Sequence, residues 1–246
     1  TGNDPELYLA KWGLETGWGK SIIPGTNNLG NIKDFSGSGV SAKDNAKKHF
    51  DKYNKLKRTF EALTQLTDQT KAEIDHLESI SSALDIALAE NDLVQIKEEL
   101  MEYGYIKKRR SSDKKPKITS KPFHYISSDG FHIYVGKNNY QNEELTFKLA
   151  TGNDWWFHAK KAPGSHVIVK NKGGEMPDRV FEEAGKLAGY YSSGRDSDKL
   201  EIDYLQKKNV KKPAGSAPGF VVYYTNYSLT IHPDISGLTL VESSNT

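Results

Sequence analysis

Cysteine is missing from all 246 residues. That excludes a disulfide framework and any metal site built on thiolates, and it fits a cytoplasmic compartment. No run of about 18 apolar residues occurs, so no helix is expected to span a membrane. The start lacks the basic-then-apolar pattern of a signal peptide. A chain that begins at Thr1 reads as a processed or engineered fragment. Net charge is almost absent, at +2. The seven histidines are scattered, with no spacing of the His-Glu-x-x-His kind. Neither a Walker nor a Rossmann glycine loop is present. No metal and no cofactor is expected, and the chain is not expected to act as an enzyme.

What is present is unevenly distributed. Hydrophobic residues make up 36% of the chain, enough for at least one core. Residues 106–123 hold eight Lys or Arg against one Asp, whereas residues 45–105 hold eight against twelve acids. Positive charge is thus concentrated in one short stretch, as in an anion-binding arm. Before it, Tyr53, Leu56, Phe60, Leu63, Thr67, Thr70, Ile74, Leu77, Ser81, Leu84 and Leu88 step by three and four residues. Such spacing predicts a long helix over 46–89 with a coiled-coil seam, followed by a shorter helix ending near Gly104. The seam could pair within the chain or with a second copy.

Residues 123–240 read as α+β. Ser128-Asp129-Gly130 is a turn between strands at Phe123–Ile126 and Phe131–Val135. Glu143–Ala150 reads as a short helix. Strands are expected at Asp154–Ala159, His166–Val169, Leu200–Leu205, Gly219–Tyr224 and Ser228–Ile231. A helix is expected from Pro177 to Tyr191, on the spacing of Val180, Phe181, Ala184, Leu187 and Ala188. The domains are therefore 1–44, a helical arm 45–105, a basic linker 106–122 and an α+β domain 123–240.

The chemistry lies in aromatic and basic residues that interleave. Trp155, Trp156, Phe157 and His158 stand beside Lys160 and Lys161, and nucleic acid needs flat faces for bases and cations for phosphates. Only one of two successive tryptophans in a strand can face outward, and alternating aromatics are more often core. The turn at Pro163-Gly164-Ser165 offers backbone N–H groups to an anion. Lys207, Lys208, Lys211 and Lys212 next to a Gly/Pro-rich loop form a phosphate-contacting arm, against a solvated loop as the plainer reading. Asn138, Asn139 and Asn142 contact RNA or, more simply, cap a helix. His158 and His166 could meet across neighbouring strands.

The ordered text DGFHIYVGKNNYQNEELTFKLATGNDWWFHAKKAPGSHVIV, LAGYYSSGR, EIDYLQKKNVKKPAGSAPGFVVYY and LTIHP resembles the NFACT-R domain of the NFACT family. DNAKKHFDKYNKLKR and IKEELMEYGYIKKR resemble the coiled coil that precedes that domain, so the likeness spans roughly 44–236. It implies an RNA- and ribosome-binding module of a ribosome quality-control factor. Such a factor docks on large ribosomal subunits carrying stalled nascent chains, with tRNA as a secondary partner. Older descriptions call these proteins fibronectin- or fibrinogen-binding, which leaves a surface adhesin as an alternative. The family's tRNA-selecting N-terminal domain has no visible counterpart, so C-terminal tailing is expected to be absent. By position within the resemblance, the RNA-binding candidates are Lys137, Asn138, Asn139, Trp156, His158, Lys160, Ser165, His166, Arg195, Lys207, Lys208, Lys211 and Lys212.

LAKWGLETGWGKSIIPGTNNLGNIKDFSG instead resembles the catalytic-helix segment of bacterial glucosaminidases, with Glu15 where that family keeps its general acid. The alternative is then a peptidoglycan hydrolase using Glu15. A segment of about 40 residues seldom folds alone, and one wall does not make a sugar cleft. Two resemblances that change near Asp44 point to a fused or recombined chain.

Overall fold

The computed structural model describes residues 42–109, 114, 116–171 and 173–241. Glu15 and the glucosaminidase-like segment lie outside the described residues, as does part of the basic linker. The chain divides into two units, Thr1–Lys71 and Ala72–Thr246.

Helix α1 runs Ala42–Ile86. In the first unit the seam residues Leu56, Phe60 and Leu63 are exposed. In the second unit the buried stripe is not the expected one. Ile80, Ala83 and Ile86 are buried, while Leu84 and Leu88 are exposed. A turn of 3-10 helix at Glu90–Asp92 reverses the chain into helix α2, Leu93–Glu102, whose Ile96 packs on Ile80 and Ala83. The 3-4 pattern alone could not choose between these neighbouring stripes, because α2 is too short to cover the longer one.

The sheet has seven antiparallel strands: β1 Phe123–Ile126, β2 His132–Val135, β3 Trp155–Ala159, β4 Val167–Val169, β5 Leu200–Gln206, β6 Tyr227–Ile231 and β7 Thr239–Leu240, in the order β6-β5-β3-β4-β2-β1-β7. Period-2 alternation sends successive side chains to opposite faces. Phe157, Val167, Val169 and Ile202 face helix α4, Asp178–Tyr190, through Val180, Ala184, Leu187 and Ala188. Trp156, Ile168 and Leu205 face the other way. That second face is covered by helix α3, Asn139–Glu144, its π-helical continuation Leu145–Leu149, and by Val210, Val221 and Tyr223. The α+β architecture behind a long helix is as the sequence implied. Two strands differ: Gly219–Tyr224 supplies only an isolated bridge, Lys211 to Val222, and β7 was not foreseen.

A buried polar seam joins the 79–102 helices to the sheet domain. Asp92, 1% exposed, accepts from the Leu88 and Ala89 N–H groups at 3.1 and 3.2 Å, from Ser120 Oγ, and from Lys137 Nζ at 3.0 Å. Gln95 Oε1 accepts from Asn138 Nδ2 at 3.1 Å and Gln141 Nε2 at 3.0 Å. Glu99 Oε1 accepts from Asn139 Nδ2 and bonds His76 Nε2, both at 2.9 Å. Burial would raise the Asp92 carboxyl, but the Ser120 and Lys137 hydrogen bonds, the Lys137 charge and the Leu88 N–H hold it below the usual carboxylate range. A depressed folded-state pKa contributes stability that is complete above the unfolded value of 3.8 and is lost as pH falls through the folded one. Acid unfolding followed by circular dichroism should therefore steepen below about pH 4, and Asp92→Asn should flatten that limb. An unchanged limb would remove Asp92 from the acid response.

Candidate nucleic-acid interface

The lysine segment grows directly out of β5. Strand β5 ends at Gln206, and Lys207–Asn209 make one 3-10 turn. Lys207 N–H donates to Asp154 O at 2.9 Å and Lys208 N–H to Gly152 O at 3.1 Å, which ties the turn to the loop before β3. Asp154, 1% exposed, braces that loop by accepting from Thr151 N–H at 2.7 Å, Asn171 N–H at 2.8 Å and Lys170 Nζ. Burial pushes its carboxyl up, but the Lys170 bond and the backbone donors hold it below the ordinary range, so it stays charged.

Beyond the turn, Lys211 and Val222 exchange hydrogen bonds of 3.0 and 2.9 Å. Val210, Val221 and Tyr223 point into the core on Trp156. Alternation then turns Lys211, Phe220, Val222 and Tyr224 outward. Phe220 is 52% and Tyr224 85% exposed. The far end of the loop is clipped to α3: Glu143 pairs with Lys212 and accepts from Gly219 N–H at 3.3 Å. Gly219 sits at φ +74°, and a Cβ there would lie 3.2 Å from Asn139 O, so glycine fits both the turn and the approach. Lys207 Nζ lies 5.4 Å from the Phe147 ring centroid. Lys208 and Lys211 are exposed, and neither forms an ion pair among the described residues. The surface thus combines free cations with exposed rings on an anchored loop.

The sequence candidates divide sharply when placed. Lys207, Lys208, Lys211 and Lys212 come together at this loop. Lys160 pairs with Glu201 at 3.2 Å on the β3–β5 side, and Arg195 is half-buried in the turn after α4. Lys137 is turned inward to Asp92, and Asn138 caps α3 by accepting Gln141 N–H at 3.0 Å. Asn139 is buried against Ser79 and Glu99. Trp156 is 0% exposed. Its ring lies 5.6 Å from His158, 5.0 Å from His166 and 5.4 Å from Tyr223, so it packs and shows no face to a base. Ser165 Oγ donates to Gly136 O. The Ser165 and His166 N–H groups are taken by Tyr191 O at 2.8 Å and Asn142 Oδ1 at 2.9 Å, so the Pro163-Gly164-Ser165 turn presents neither to an anion. His158 and His166 do meet across β3 and β4, with ring centroids 5.5 Å apart. Burial lowers both, and for His166 the neighbouring His158 adds to it, so neither ring offers a cation at neutral pH.

Phe220 and Tyr224 were missed as candidates. Their signal was visible as GFVVYY, a continuous apolar and aromatic run just after a Gly/Pro-rich loop, which also reads as a buried strand.

Residues 121–224 match the family model described as the NFACT protein RNA binding domain, and residues 38–119 the one described as NFACT N-terminal and middle domains. The solved C-terminal part of the fibronectin/fibrinogen-binding protein from Streptococcus suis is 42% identical, covering 79% of this chain and 78% of that chain, with a TM-score of 0.71. The chain belongs to the NFACT family. The NFACT match begins at residue 38, so 38–43 fall on the NFACT side of the expected seam. Among NFACT relatives, the Rqc2 homolog RqcH of Streptococcus pneumoniae (strain D39) is 40% identical over 208 residues, 83% of this chain and 37% of that protein. The human ribosome quality control complex subunit NEMF is 34% identical over 74 residues, 30% of this chain and 7% of that protein. The chain spans about a third of the length of RqcH.

Proposed function

We propose that this chain is a non-catalytic RNA-binding module of a ribosome quality-control factor, docking on ribosomal RNA of the large subunit. The observation that carries the reading is the anchored 207–224 loop, which shows unpaired Lys208 and Lys211 beside exposed Phe220 and Tyr224. It lies within the stretch that matches an RNA-binding domain. The names of RqcH and NEMF support the ribosome as the setting. Cations would engage phosphates, and the rings would stack on unpaired bases.

Titration against purified large ribosomal subunits over a salt series tests this. Affinity should fall linearly on a log–log plot, and replacing both Lys208 and Lys211 by Ala should reduce the slope by about 1.4–1.8. Replacing Phe220 and Tyr224 by Ala should instead weaken binding by about 1–3 kcal/mol per stacked base at constant slope. An unchanged slope and affinity in both variants would rule the loop out. A fibronectin- or fibrinogen-binding role, which the Streptococcus suis protein's name carries, predicts binding to that matrix protein that ignores salt and both lysines.

A further inference from the structure

The sheet face opposite the lysine loop carries a groove beside an edge strand. Strand β6 is the last in the sheet and pairs only with β5 among the described strands. Edge strands are usually guarded by lysine, proline, a bulge or shortness. The other edge, β7, is two residues long. Strand β6 is five residues long, Tyr-Ser-Leu-Thr-Ile, with no charge and no proline. Tyr227, Ser228 and Thr230 are exposed.

Beside this open edge lies a groove of about 670 Å³ between β6 and α4. Gly185 and Gly189 bring α4 close to the strand, since a Cβ at either would lie 2.8 or 2.7 Å from Leu229 or Ile231 side-chain carbons. The groove is lined by four aromatic rings, Trp155, Phe181, Tyr204 and Tyr227. Trp155 meets Phe181 edge-on at 4.8 Å, Phe181 meets Tyr204 at 5.3 Å and 58°, and Tyr204 stacks on Tyr227 at 5.5 Å. The rings pack on one another, edge to face at Trp155–Phe181 and stacked at Tyr204–Tyr227, and together line one side of the groove, where a cation laid on the wall would meet π-density. Asp178 and Glu182, one helical turn apart, stand on the lining together with Lys186 and His232. Glu182 is paired with Lys186 at 2.9 Å, whereas Asp178 has no ion pair among the described residues. Burial chiefly, then the Tyr227 and Asp178 neighbours, push the Tyr204 hydroxyl up.

We propose that β6 and this groove bind an extended peptide segment bearing Arg or Lys, from a partner protein. The segment would add to the sheet as an eighth strand through backbone hydrogen bonds. One of its alternate side chains would lay a cation over the aromatic rings and against Asp178. An uncharged open edge sets the backbone mode, and the unpaired carboxylate beside the rings sets the sign of the ligand.

The test uses the full chain and a short fluorescein-labelled peptide of alternating valine and arginine, followed by anisotropy. Saturable binding is expected. Asp178→Asn and Tyr227→Ala should each weaken it about tenfold. Tyr227 is 64% exposed, so the fold should survive its removal, which circular dichroism checks. A valine/glutamate peptide, and an arginine peptide with a central proline that cannot complete the backbone ladder, should both lose at least about tenfold. No saturable binding, equal binding of arginine and glutamate peptides, or undiminished binding in both variants would each overturn the proposal.

Discussion

Trp156→Ala is expected to lower the free energy of unfolding by about 3–5 kcal/mol, among the largest losses any single substitution here should give. Trp156 has no exposed surface and fills the second face of the sheet between Leu145, Ile168, Leu205 and Val210. Its Nε1 atom is buried with no hydrogen-bond partner among the described residues. Trp156→Phe should therefore cost much less, about 1–2 kcal/mol, since it removes volume and also an unpaired donor. Denaturant unfolding of the three proteins measures the difference. Equal losses for Ala and Phe would mean that the indole N–H has a partner in solution. The Phe variant, below its melting temperature, should retain its affinity for ribosomal subunits. A ring that stacked on a base would show the opposite pattern, a stable variant that binds poorly.

Lys137→Met should destabilise by about 3–5 kcal/mol, because it leaves the carboxylate of Asp92 buried without its cation. The Asp92 side chain is 1% exposed, and Lys137 Nζ lies 3.0 Å from it and 4.4 Å from the Phe123 ring centroid. Asp92→Asn with Lys137→Met should recover much of the loss, because the charge goes with its partner. A thermal or denaturant melt of the single and double variants reads this. A Lys137→Met protein as stable as wild type but weak in binding RNA would return the lysine to the interface. The sequence reading had placed Lys137 there.

That reversal shows where the sequence was legible. Alternation made β1 and β5 readable nearly to the residue, the aromatic run Trp155–Phe157 did the same for β3, and Pro177 with the spacing of Val180, Ala184 and Leu187 made α4 readable. The motif around GKNNYQNEE was visible as polar and special, but its partners were Asp92, Gln95 and Glu99, some forty residues away. A buried polar residue and a ligand-binding one look alike until the other half of the hydrogen bond is known. His166 was misleading for the same reason: its ring bonds Thr146 Oγ1 at 2.8 Å inside the core. The clustering of Lys207, Lys208, Lys211 and Lys212 was legible because they fall within six residues of one another. Phe220 and Tyr224 were not, because which side of an alternation faces out depends on Trp156 lying beneath it. The charged rim of the β6 groove was likewise hidden, since Asp178 and Tyr227 come together only when the sheet forms.

The polar joint between α2 and α3 also limits how these proteins can be recombined. Each side carries half of a lock: carboxylates and an amide on one segment, a lysine, two asparagines and a glutamine on the other. In a chimera that takes residues 72–105 from one relative and 120–241 from another, the packing of Ile86 on the sheet core must be matched, and so must this polar joint. Such a chimera remains stable only when the donors and acceptors come from a matched pair.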